Sequence, residues 1–93
     1  MRISIQFLTL NPPQKIILEF SSFQANYIKS LPLHSSQKIL SDDENCCIIE
    51  LFIYPTYDFI MEILSMGKEV KVIEPQSLVV AIKQILTDSL KKY

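Results

Sequence analysis

The apolar and polar positions along this chain switch repeatedly between a period of two and a helical period. Ile3, Ile5 and Phe7 alternate with Ser4 and Gln6 as in a short strand. Asn11-Pro12-Pro13 stops that pattern, since proline cannot extend a sheet ladder and restrains the residue before it. Lys15 to Phe20 alternates again, with Ile16, Leu18 and Phe20 on one side and Ile17 and Glu19 on the other. Ser21 or Ser22 can cap a helix in which Phe23, Tyr27, Ile28 and Leu31 recur at helical spacing until Pro32 closes it. A strand near Gln37 to Leu40 leads into Ser41-Asp42-Asp43-Glu44-Asn45, a hairpin loop of turn formers and charge. Cys46 to Tyr54 is the strongest strand, rich in β-branched and aromatic residues. Thr56 is placed to cap a helix through Met66, with Asp58 in its first turn. Gly67, the only glycine, sits where a left-handed residue would end that helix. Glu69 to Ile73 is a short strand, and Pro75 opens a last helix with Leu78, Ile82, Ile85, Leu86 and Leu90 in one stripe.

From residue 14 the order is strand, helix, strand, strand, helix, strand, then a further helix. The predicted class is α+β: a ferredoxin-like βαββαβ antiparallel sheet with an added C-terminal helix and a short N-terminal strand. Residues 1–13 read as that strand or the stub of an upstream domain, and residues 14–93 as the domain itself. Right-handed crossovers put both connecting helices on one sheet face. Cys47, Ile49, Leu51 and Ile53 point towards them. Ile17, Ile48, Phe52 and Tyr54, with Cys46, then form an apolar outer face. The last helix, a second subunit or a neighbouring domain is expected to cover it.

Composition narrows the function. Ninety-three residues, 48% of them hydrophobic, suit one domain with a real core. Nine basic and ten acidic residues give a net charge of −1, without the basic excess on which nucleic-acid binders depend. The longest apolar runs are too short to span a membrane, and no signal-peptide pattern opens the chain, so a cytoplasmic protein is expected. Cys46 and Cys47 are adjacent; on a strand they point to opposite faces and cannot easily share a bond or a metal.

Catalytic chemistry finds little support. The single histidine, His34, has no sequence-local acid, thiol or metal partner at a useful spacing. Asp42, Asp43 and Glu44 read as a solvated loop, and one glycine excludes a glycine-rich phosphate cradle. No catalytic residue, metal or cofactor is expected. An RNA-recognition surface would set aromatics on both central strands beside basic residues. Phe52 and Tyr54 occupy one strand, but Lys15 to Phe20 lacks the companion motif.

An ordered set of segments carries a family resemblance: Pro32-Leu33-His34-Ser35-Ser36-Gln37, then Met61 to Gly67, then Glu69-Val70-Lys71-Val72-Ile73-Glu74-Pro75, then a helix ending near Tyr93. Over roughly residues 14–93 it resembles the C-terminal extension (WCX) domain of WYL-domain bacterial transcriptional regulators. The resemblance implies a ferredoxin-like domain that contributes to dimerisation and effector response. It implies as partners a helix-turn-helix that binds DNA and an Sm-like WYL barrel, neither of which this sequence contains. It matches His34, Ser36 and Gln37 to a "PLHxSQ" segment suited to polar contacts that fix the loop or a neighbouring domain. Lys38, Lys68 and Lys71 are candidate contacts to an anionic effector. The alternative is a small-molecule sensor module resembling ACT domains. Those usually carry a glycine-bearing loop where this chain has Ser21-Ser22.

Overall fold

The computed structural model describes residues 12–93. The Ile3–Phe7 strand expected upstream lies outside them. Four strands, β1 (Gln14–Ser21), β2 (Lys38–Asp42), β3 (Cys46–Ile53) and β4 (Val70–Glu74), form one antiparallel sheet in the order β2-β3-β1-β4. Helix α1 (Ser22–Ser30) joins β1 to β2, and α2 (Tyr57–Ser65) joins β3 to β4 through a 3-10 turn, Gly67–Glu69. Helix α3 (Gln76–Leu90) follows β4. The class is α+β, with the βαββαβ order and added terminal helix that the sequence predicts.

Alternation decides the faces. Ile16 pairs with Leu51, Leu18 with Ile49 and Phe20 with Cys47 across β1 and β3, and all six are essentially fully buried. Ala25 and Ile28 of α1, Phe59 and Ile63 of α2 and Leu78 of α3 complete the core, with Val70, Val72 and Ile53 packed against it. Each fully buried aliphatic or aromatic side chain contributes about 1.5–3 kcal/mol.

Local signals set the element ends. The Ser21 hydroxyl accepts from the Gln24 amide at 3.2 Å and donates to the Glu69 carboxylate, so it caps α1 and ties it to the 3-10 turn. Thr56 caps α2 by accepting from the Phe59 amide at 3.2 Å. Gly67 adopts φ +62°, the left-handed conformation predicted for it. Asp43 closes the β2–β3 hairpin, its carboxylate accepting from the Asn45 and Cys46 amides at 2.8 and 2.9 Å. These two bonds hold the carboxyl below the ordinary aspartate value.

Two expectations need correction. The large apolar side chains of α1 do not form its core face: Phe23 is 62%, Tyr27 55% and Leu31 75% exposed. Ala25 and Ile28 are the residues buried there, because a helix lying close on the sheet has room for a small side chain at that contact. The stripe on α3 is also only partly used. Leu78 is buried and Ile82 packs on the core, but Leu86 and Leu90 are 54% and 74% exposed. Since Leu78 joins the helix-side core, α3 does not serve as the lid of the outer sheet face, where Phe52 remains 57% exposed.

Candidate functional site

Two features outside the core hold the residues that the sequence singles out, and a third was not foreseen. The first is the loop from α1 to β2, which closes on itself through polar side chains. Gln37 accepts from the Leu33 amide at 2.9 Å and donates to the Ile28 carbonyl at 3.1 Å, in the last turn of α1 where carbonyls lack helical partners. Ser36 takes the Phe52 amide of β3 onto its hydroxyl at 2.9 Å. That hydroxyl lies 2.8 Å from His34 Nδ1, which also accepts the Ser36 amide at 3.1 Å. His34 Nδ1 thus faces both the hydroxyl and the amide of Ser36. The result is a relay from the Phe52 amide through Ser36 to His34. His34, Ser36 and Gln37 are thus brought together, and the bonds they make fix the loop against α1 and β3.

The second feature is the outer sheet face. Ile17 lies opposite Glu50, and Glu19 opposite Ile48, so isoleucines and carboxylates alternate across the two central strands. Lys38 pairs with Glu50 on one flank, and Lys71 pairs with Glu19 on the other. Ile17, Ile48 and Cys46 are half-buried, while Phe52 and Tyr54 stand at the open end of the face. The face is therefore apolar along a diagonal and charged along the other, a mixture that alternation of Ile17 with Glu19 and Ile48 with Glu50 already contains. Lys38 and Lys71 sit on strands at opposite sheet edges and share no site. Lys68 and Lys71 line a depression of about 250 Å³, but Glu19 and Glu69 line it too and offset their charge.

The third feature is one that sequence reasoning missed, a groove between α1 and α2. Two depressions of about 420 and 440 Å³ share Leu31, Leu33 and Glu62. Tyr27 and Met66 line the first, Asp58 the second, and Phe23 packs edge-on against Tyr27 with ring centroids 5.6 Å apart. The signal was present in the sequence: α1 carries two apolar stripes in nine residues, and only one can face the sheet.

The cysteines fall on opposite faces, Cys47 buried among the core residues and Cys46 half-buried. Burial pushes both thiols above their ordinary pKa, which keeps them protonated and weakly nucleophilic. Among the described residues no cluster of three or more His, Cys, Asp or Glu side chains is disposed to hold a metal, and no helix is long and apolar enough to cross a membrane.

Among the described residues the loop's polar groups bond one another, while Phe23, Tyr27, Leu31 and Phe52 stay largely open. Residues 12–90 match the family model of the WCX domain, and the chain belongs to that family, the C-terminal domain of WYL-type regulators. The family is a regulatory one, and its regulators bind DNA through other domains. No curated protein matches the chain.

Proposed function

We propose that this chain is the regulatory and dimerising domain of a cytoplasmic bacterial WYL-type transcriptional regulator, coupling effector sensing to DNA binding by the other domains. The WCX match over residues 12–90 carries this reading. The open diagonal of Ile17, Ile48, Phe52 and Tyr54 supports it, because a half-buried apolar strip beside Lys38 and Lys71 suits a contact with the neighbouring barrel. The His34–Ser36–Gln37 latch ends at the Phe52 amide, so it would hold that end of β3 at a fixed position under the contact. Effector bound elsewhere changes the response only if it prefers one packing of barrel on extension over another.

The test is made in a WYL regulator carrying this domain. Phe52→Glu should leave the domain folded, by circular dichroism and melting, yet uncouple effector from DNA affinity in a binding titration. Unchanged effector dependence in a folded Phe52→Glu protein would remove the outer face from the mechanism. Melting of the isolated chain in the presence of amino acids separates the ACT-like alternative. A concentration-dependent rise in melting temperature with one amino acid would favour the sensor reading.

A further inference from the structure

Beyond the outer sheet face, two apolar features of the described residues lack a partner among those residues, and their charges are complementary. The groove between α1 and α2 presents Tyr27, Leu31, Leu33 and Met66, with Asp58 and Glu62 on its rim. The outer half of α3 presents Leu86 and Leu90, one helical turn apart and mostly exposed, beside Lys83, Lys91 and Lys92. Neither feature meets the other within one chain: no α3 residue lines either depression. We propose that the groove between α1 and α2 receives the outer half of α3 from a second copy of this chain.

The proposal rests on the pairing of copies in the functional reading above and assigns its surface. An amphipathic helix docked in an apolar groove reads as anchors spaced by three or four residues, which Leu86 and Leu90 satisfy. The helix has the reach required. Its fifteen residues rise about 22 Å, at about 1.5 Å each, and Leu78 and Ile82 pack on the core of its own chain while Leu86 and Leu90 at its far end stay mostly exposed. Lys91 and Lys92 then lie at the end of the inserted segment, opposite Asp58 and Glu62, so that the rim pairs select direction and the leucines contribute most of the affinity. Two copies exchanging α3 reciprocally form a closed two-fold dimer in which each interface is used twice. The outer sheet face stays free for the rest of the regulator.

The experiment is sedimentation velocity of the full chain across a concentration series, with variants confined to exposed positions. Tyr27→Glu and Leu90→Glu should each weaken dimerisation by about 30-fold or more, the range of a lost central anchor, with unchanged melting of the dilute monomer. Glu62→Lys should weaken it by up to about fivefold, and so should Lys91→Glu with Lys92→Glu. Combining these charge reversals in one chain should restore much of the loss. A mixture of the Tyr27→Glu and Leu90→Glu proteins should form a hetero-pair through the one intact groove and helix. A dimer that survives both Tyr27→Glu and Leu90→Glu but is lost in Phe52→Glu would overturn the exchange and leave the pairing itself standing. A chain that stays monomeric at every concentration would overturn both, and would leave the groove to another domain.

Discussion

Both ends of the Gln37 amide are bonded to backbone, and each partner lies where regular structure has run out: the Ile28 carbonyl at the end of α1 and the Leu33 amide in the loop. Removing such a side chain leaves two partly buried groups with weaker partners, and each costs about 1–3 kcal/mol when water does not replace the bond. Water reaches both of these part-buried groups and replaces much of each bond, so Gln37→Ala is expected to lower stability by about 1–3 kcal/mol in all, read as a fall in urea midpoint at constant slope. Lys38→Ala, one residue on and exposed, should stay within about 0.5 kcal/mol. Equal effects of the two substitutions would show that the latch has no structural weight. Sequence alone marks His34, Ser36 and Gln37 as a polar group between a helix and a strand. It cannot say that their partners are the Phe52 amide and the Ile28 carbonyl, because these contacts span 16 and 9 residues and depend on how β3 is placed.

At the scale of elements, alternation and capping were legible and helix orientation was not. Ile16, Leu18, Phe20, Cys47, Ile49 and Leu51 take the positions that period two predicts, since a one-residue slip would turn all of them to solvent. Thr56 and Gly67 act where backbone chemistry alone requires them. The orientation of helix α1 escaped prediction, though its bounds and the burial of Ile28 did not, because size competes with periodicity. Phe23, Tyr27 and Leu31 form the larger apolar stripe, yet the sheet accepts the smaller one built on Ala25 and Ile28. The β2–β3 hairpin offers a test at this scale. Asp43 is fully exposed but accepts two backbone amides, so the folded state favours its ionised form and holds its pKa below the usual value of 3.8. Its contribution is therefore fully present above that usual value and is lost as pH falls through the lower, folded one. Wild type and Asp43→Asn should follow different stability curves in acid, the wild type falling more steeply as pH drops below about 4. Hairpin amide shifts followed by NMR through the same range locate the change. Parallel curves for the two proteins would mean that the turn bonds do not favour the charged form.

For the whole molecule, α3 is the element whose role divides. Its beginning belongs to the fold: Leu78 is buried in the same cluster as Phe59 and Ile63, and Ile82 packs beside it. Its end adds little to the monomer, since Leu86 and Leu90 remain mostly exposed and residues 91–93 are exposed throughout. A domain of this size has a modest stability, on the order of 5–10 kcal/mol, so the two halves can be told apart by melting. Leu78→Ala removes a core side chain and should cost about 2–5 kcal/mol. With about 4–8 °C lost per kcal/mol in a domain this small, that is a fall of at least about 8 °C. Deleting residues 86–93 removes mostly solvated groups, and at dilute concentration it should cost no more than about 0.5 kcal/mol, a midpoint shift of about 2–4 °C. The same deletion should nevertheless abolish the concentration dependence of melting that an exchanged helix would produce, because association stabilises by mass action. If the deletion lowered dilute-solution stability as far as Leu78→Ala does, the outer half of α3 would be a component of the monomer's own core. Its exposed leucines would then have no claim to a second copy.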